Sequence, residues 1–278
     1  MRNIDEHTIT RAFVQRIEGC DNPRLKEILT ALVTHLHDFA REVRLTEAEW
    51  MAGIRFLTRT GQMCDDKRQE FILLSDTLGL SMLTIAMNHA KPPGCTEATV
   101  IGPFHTDDAP PAAQGSDIAH GAPGKPLDVD VTLRASDGSP IAGAEVDVWQ
   151  ADDAGKYDVQ YADLHERRAR ALLRSDGEGR VRFSTIVPTA YPVPTDGPVG
   201  QMLVATGRHP WRPAHLHFWI KAQGFEPLVT HLFRDGDPYL DSDVVFGVRN
   251  SLIVQMPENP DRPGRHLLRH EFVLNPSH

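Results

Sequence analysis

Between residues 25 and 43, apolar side chains return every third or fourth position: Leu25, Ile28, Leu29, Leu32, Val33, Leu36, Phe39 and Val43. That is the spacing of one face of an α-helix. Thr46 followed by Glu49 has the pattern of a capping box and predicts the start of the next helix. From Phe71 to Met87 the chain is apolar nearly all round, which predicts a segment buried against a second domain or a second subunit. Further along, the period changes to two. Val129, Val131 and Leu133 share a face, as do Val146 and Val148, and then Val181, Phe183 and Thr185, with turn signals SDGSP, DDAG, SDGEG and RDGDP between the segments. Short alternating strands at this spacing predict an all-β sandwich or barrel. Proline marks the change: of 21 prolines only Pro23 precedes residue 92, and proline is costly inside helices but common in turns. The expected class is α+β, with a helical domain over residues 1–97 and a β-sandwich over 98–278.

Composition removes several classes. A formal charge of −9 and a pI near 5.8 argue against nucleic acid or an anionic membrane surface as partner. No apolar run approaches the roughly 20 residues that span a bilayer, and the opening MRNIDEHTITRAF lacks the apolar core of a secretory signal. With only Cys20, Cys64 and Cys95, widely scattered, a reducing cytoplasm is the expected location.

The segment RPAHLHF, Arg212 to Phe218, carries the first chemistry. On a strand, residues two apart point the same way, so His215 and His217 offer two imidazoles to one metal ion. His35 and His37 have the same spacing in a helical pattern, where two steps turn roughly 200° and send the rings apart. The strand pair alone leaves two readings open, metal ligation or two histidines on a wet sheet face. Tyr191, between prolines in VPTAYPVP, and Tyr157, after the turn in DAGKY, lie outside any core pattern; by themselves they also read as half-exposed ring anchors on surface loops. Phenolate and imidazole donors together suit a hard trivalent iron better than zinc, whose structural sites usually take thiolates. The three cysteines show no C-x-x-C spacing, and a two-histidine, one-carboxylate Fe(II) site lacks its carboxylate in any evident motif.

Four motifs in order, GPFH at Gly102, VDVWQADDAGKY ending at Tyr157, VPTAYPVP around Tyr191 and GRHPWRPAHLHF ending at Phe218, resemble the intradiol aromatic-ring dioxygenases over most of the chain. The resemblance implies one Fe(III) per subunit held by Tyr157, Tyr191, His215 and His217, with the spacing Tyr–x33–Tyr–x23–His–x–His. It implies that Tyr191 leaves the metal when substrate chelates it, and that the metal acts as a Lewis acid and template for O2 attack on the ring. Arg212, whose other reading is a surface salt bridge, would stabilise the developing negative charge. The family pattern often has Gln sixteen residues after the first ligand histidine; this chain has His231, a titratable group beside the metal. The resemblance also makes the N-terminal helices a homodimer interface holding a lipid-like molecule, against the simpler reading of a bundle core within one subunit.

Within that family, LLSDTLGLSM from Leu73, ATVIGPFH, YDVQYADLHE, AYPVPTDGPVGQML and THLFRDGDPYLDSDVVFGV are most similar to enzymes that open hydroxyquinol, rather than catechol, chlorocatechol or protocatechuate. The implied reaction gives 3-hydroxy-cis,cis-muconate and its tautomer maleylacetate. A third ring hydroxyl needs a buried polar partner, since leaving one unpaired costs about 1–3 kcal/mol. Asp76, on an otherwise apolar helix, is the candidate, with a helix cap or solvated face as its other reading. Leu73 is one turn away, and Val100, Ile101, Pro103, Phe104, Pro192 and Val193 would form apolar walls with His231 nearby. Catechol or chlorocatechol cleavage is the alternative activity. A non-catalytic transthyretin-like binding module would share the strand pattern without using the four metal-competent side chains, and a hydrolytic zinc enzyme would use the histidine pair alone.

Overall fold

The computed structural model describes residues 2–65, 68–164 and 166–277; His165, in the YDVQYADLHE segment, falls outside the described residues. By packing, the chain divides into two compact units, Met1–Arg59 and Thr60–His278.

The first unit is helical. α1 (Ile9–Arg16) and α2 (Pro23–Glu42) meet through Thr10 and His37, whose Oγ1 and Nδ1 are 3.0 Å apart. Pro23 opens α2 where its missing N–H costs nothing, and Asn22 Oδ1 accepts from Leu25 N at 3.0 Å. α3 (Glu47–Gln62) begins with the expected reciprocal cap: Glu49 N donates to Thr46 Oγ1 and Thr46 N to Glu49 Oε2. The apolar stripe of α2 is regular but uncovered. None of its residues is buried, and Leu25, Ile28, Leu32, Leu36, Phe39 and Val43 are 45–57% exposed.

In the second unit the apolar run from Phe71 forms two helices, each buried along part of its surface within the chain. α4 (Glu70–Thr77) and α5 (Leu80–Asn88) meet at a 75° bend, where Gly79 takes φ +78°, a conformation open to glycine. Leu73, Leu74, Asp76, Thr77 and Met82 are buried, whereas Phe71, Ile72, Leu78, Leu80, Leu83 and Met87 are 45–74% exposed. Helix gives way to strand between Asn88 and Pro126, but the packing boundary lies at 59/60 because α4 and α5 belong to the strand unit. Among the described residues, no single helix is long and apolar enough to cross a membrane.

Among the described residues ten strands follow: β1 (Pro126–Ala135), β2 (Glu145–Trp149), β3 (Arg170–Arg174), β4 (Arg180–Ile186), β5 (Tyr191–Pro192), β6 (Trp211–Arg212), β7 (His215–Lys221), β8 (Leu228–Arg234), β9 (Ile253–Val254) and β10 (His266–Leu274), with α6 (Pro198–Ala205) between β5 and β6. They form a three-stranded sheet β10-β1-β4, a five-stranded sheet β3-β2-β7-β8-β9 and the ribbon β5-β6. The two larger sheets enclose one core. Leu127, Val129, Val131 and Leu133 from β1, with Val181, Phe183 and Phe272, pack with Val146, Val148, Leu216, Phe218, Ile220 and Leu232 from the other sheet. This is the α+β arrangement that the change of period from three-and-a-half to two predicts.

Candidate metal and substrate site

Alternation along β7 separates structure from chemistry. Leu216, Phe218 and Ile220 enter the core, which leaves His215 and His217 on the outer face of the same strand. His217 pairs with Trp149 of β2 on one side and His231 of β8 on the other; the Trp149 ring stacks on its imidazole at 4.6 Å and 14°. Tyr191 arrives by the short ribbon, directly opposite Arg212. Tyr157 arrives by the loop after β2, which passes tightly against Tyr191: a Cβ on Gly155 (φ +73°) would lie 2.9 Å from Tyr191 Cβ. Gly102 (φ +75°) brings the GPFH segment close as well, since a Cβ there would lie 3.3 Å from His217 Cε1.

The four side chains converge. Tyr157 Oη is 3.0 Å from Tyr191 Oη and 2.9 Å from His217 Nε2, and the two histidine Nε2 atoms are 3.1 Å apart. Arg212 Nη1 lies 3.4 Å from Tyr191 Oη and 3.2 Å from His215 Nε2. All five residues are at most 4% exposed. Ligand atoms on a metal with bonds of about 2.0–2.1 Å stand about 2.8–3.4 Å from one another, so the spacing fits one ion at the centre. The electrostatics fit as well. Burial, with Arg212 adding to it, holds His215 well below the usual histidine range; burial and the neighbouring His231 and His215 do the same for His217. Both are neutral imidazoles with lone pairs to give. Burial and the charge of Tyr191 push Tyr157 far above the ordinary tyrosine range, against the pull of Arg212 and Arg170, so a phenolate there needs a further cation.

Behind these donors lies an ordered support. His215 Nδ1 donates to the Pro213 carbonyl at 2.7 Å, which leaves Nε2 unprotonated on the inner side. His231, expected beside the substrate, instead sits behind His217: its Nε2 is 2.8 Å from His217 Nδ1, the ring nitrogen facing away from Tyr157 and His215. The physical reason is β-pairing, which sets the two residues opposite each other in adjacent strands. Burial works against the charge of Arg212, but Asp243 and the two tyrosines outweigh it and raise its pKa. Asp243 Oδ1 accepts from Arg212 Nε at 3.3 Å.

A cavity of about 920 Å³ brings Leu73, Pro103 and Phe104 together with Arg68, Tyr161 and Arg167. Phe104 stacks on Tyr157 at 4.5 Å, linking this cavity to the donor cluster. Asp76, Val100, Ile101, Pro192, Val193 and His231 do not line it. Val100 and Val193 are buried and Ile101 is 39% exposed. Asp76 is buried within electrostatic range of Arg212 and Asp243, and desolvation lifts its carboxyl above the ordinary range against the pull of Ser81 and Arg212. Asp243, Trp149 and the fully buried Arg170–Asp158 pair (2.7 Å) are contributors that the motifs did not single out. Arg170 Nη2 also holds the Phe104 carbonyl at 2.7 Å. Arg170 opens β3 as one of four arginines between Arg167 and Arg174, and no local pattern singles it out.

Residues 100–276 match the family described as Dioxygenase, and residues 22–96 the one described as Catechol dioxygenase N terminus. Over 277 residues, and 100% of both chains, the sequence is 61% identical to a 6-chlorohydroxyquinol 1,2-dioxygenase of Cupriavidus pinatubonensis. It is 51% identical to the hydroxyquinol 1,2-dioxygenase of Corynebacterium glutamicum, over 98% of this chain and 94% of that one. The crystal structure of hydroxyquinol 1,2-dioxygenase from Pseudomonas putida DLL-E4 superposes with a TM-score of 0.93 at 48% identity, covering 98% and 99% of the two chains. The chain belongs to the intradiol ring-cleavage dioxygenases. That family is iron-dependent in general, and this member carries a buried histidine cluster able to hold a metal.

Proposed function

We propose that the enzyme inserts both atoms of O2 between the two adjacent hydroxylated carbons of hydroxyquinol, giving 3-hydroxy-cis,cis-muconate and hence maleylacetate, with one Fe(III) per subunit held by Tyr157, Tyr191, His215 and His217. The observation that carries the reading is the convergence of two phenol oxygens and two imidazole nitrogens, linked in series Tyr191–Tyr157–His217–His215 by contacts of 2.9–3.1 Å, beside a buried arginine. A ferric ion bound there supplies a Lewis-acid centre for two adjacent ring oxygens.

The protein's own groups do the rest. His215 and His217 are neutral and oriented by Pro213 and His231, so both present lone pairs inward. Tyr191 Oη accepts a proton from a substrate hydroxyl, and Arg212 Nη1, 3.4 Å away, steadies whichever oxygen is left negative. Asp243 fixes the guanidinium for that task. Phe104 and Leu73 offer apolar surface to the ring, and Asp76, three residues beyond Leu73 on α4 and buried within electrostatic range of Arg212 rather than in the outer cavity, takes the third hydroxyl, a group that an apolar wall would leave unpaired. The test compares turnover of hydroxyquinol and catechol with product identification: hydroxyquinol should give maleylacetate with the higher kcat/KM. Faster cleavage of catechol would overturn the substrate assignment.

The uncovered stripe of α2 supports assembly as a homodimer through the N-terminal helices, because exposed apolar strips of this kind are association sites. The same stripe is the surface a lipid-like molecule would occupy. The three free cysteines fit a reducing compartment such as the cytoplasm.

A further inference from the structure

Arg208 makes an unusual pair of bonds. Its Nη1 donates to the Thr77 carbonyl at 2.5 Å and its Nη2 to the Val244 carbonyl at 2.9 Å. Thr77 ends α4, and the last carbonyls of a helix lack intrahelical donors, so a cation there is favourable. Each of these two carbonyls belongs to the residue just after a buried carboxylate, Asp76 before Thr77 and Asp243 before Val244. Asp243 bonds Arg212 at 3.3 Å, and Asp76, buried and hydrogen-bonded to Ser81, feels the charges of both Arg212 and Asp243.

The clasp is tightened by an uncommon backbone. Phe246 takes φ +60°, a costly conformation for an aromatic residue that persists only when its surroundings hold it. Its ring lies 5.1 Å from the Arg208 guanidinium carbon and packs on Gly79, where a Cβ would be 3.4 Å from the ring. Phe246 N in turn donates to the Asp243 carbonyl at 3.0 Å. Arg208, Phe246 and Gly79 thus join the end of α4 to the loop that carries Asp243.

We propose that Arg208 is a positioning residue that sets the Asp76 carboxylate against the Arg212–Asp243 pair, and through Asp76 sets the preference for a ring bearing a third hydroxyl. This rests on the reading of Asp76 given above. Among the described residues, the hydrogen bonds of Arg208 go to Thr77 and Val244 and not to the four donor side chains. The cavity of about 530 Å³ that it borders leaves room for a shorter or softer side chain.

The test is a double-mutant cycle on the iron-loaded enzyme with Arg208→Met, Asp76→Ala and the pair, assayed on hydroxyquinol and catechol with iron content and visible absorption recorded. Misplacing a binding group by an ångström costs up to about a hundredfold, so Arg208→Met should lower kcat/KM for hydroxyquinol about tenfold. Catechol should change by less than about twofold, and iron and colour should stay. In the Asp76→Ala background, Arg208→Met should cost hydroxyquinol less than about twofold, because coupled residues are not additive. Arg208→Lys, which keeps the charge at the helix end but not the planar fork, should fall between and serves in place of Arg208→Met if that variant does not fold. Equal losses on both substrates, full additivity with Asp76→Ala, or loss of iron from Arg208→Met would each overturn the proposal. An Asp76→Ala variant that weakens both substrates alike refutes instead the underlying reading of Asp76.

Discussion

His217 and His231 face each other across β7 and β8, with His217 Nδ1 2.8 Å from His231 Nε2 and both rings within 1% of complete burial. His217 must donate from Nδ1 if its Nε2 is to offer a lone pair to a metal. His231 Nε2 is therefore the acceptor, and burial together with His215 and Arg212 keeps His231 neutral, well below the usual histidine range.

His231→Leu should accordingly bind iron about ten- to a hundredfold more weakly, the usual cost of losing a ligand's supporting hydrogen bond. His231→Gln retains an acceptor oxygen and should stay within a few-fold of wild type. Competition for iron against a chelator, followed by the visible band, measures both. Indistinguishable affinities for Leu and Gln would mean that His231 only fills space.

Asp76→Ala should damage hydroxyquinol turnover selectively. A hydrogen bond to a charged group is worth about 1.5–3 kcal/mol, or roughly a ten- to hundredfold drop in kcat/KM. Steady-state kinetics on both substrates decide, since a purely structural Asp76 would cost both equally.

Much of this was legible locally. Period two along β7 places His215 and His217 on one face without any knowledge of the fold, and Thr46 with Glu49 names its own cap. What escaped depends on pairing between distant residues. His231 looks like a substrate neighbour when counted along the chain, but the hairpin register sets it opposite His217 and behind the donors. The partnership of Arg212 with Asp243 spans 31 residues, and no local pattern announces it. Apolar content likewise marks Phe71 to Met87 as a unit, while Gly79 and the packing of α4 split it and move the compact boundary to 59/60.

Acid should destabilise the metal-free protein through groups outside the cluster. Burial lowers His270 from 6.5 to about 4. The unfolded chain then binds more protons than the native one between those values, so the contribution is complete above pH 6.5 and is lost as pH falls toward 4. Melting temperatures of His270→Asn should show a shallower decline over that window than wild type. Parallel curves would remove His270 from the explanation.

Leu32→Glu with Leu36→Glu places two charges on the exposed stripe of α2. Light scattering at micromolar concentration should show a particle of twice the 30.9 kDa chain mass for wild type and of single mass for the variant. A wild-type protein of single mass would contradict the dimer.

Ferric occupancy of the Tyr157, Tyr191, His215 and His217 cluster is tested most directly by metal analysis and visible absorption of purified wild type beside His217→Ala. Wild type should hold one iron per chain and show a broad phenolate-to-iron band. His217→Ala should lose both while keeping its far-ultraviolet circular dichroism. Full iron content and colour in a folded His217→Ala protein would contradict the site.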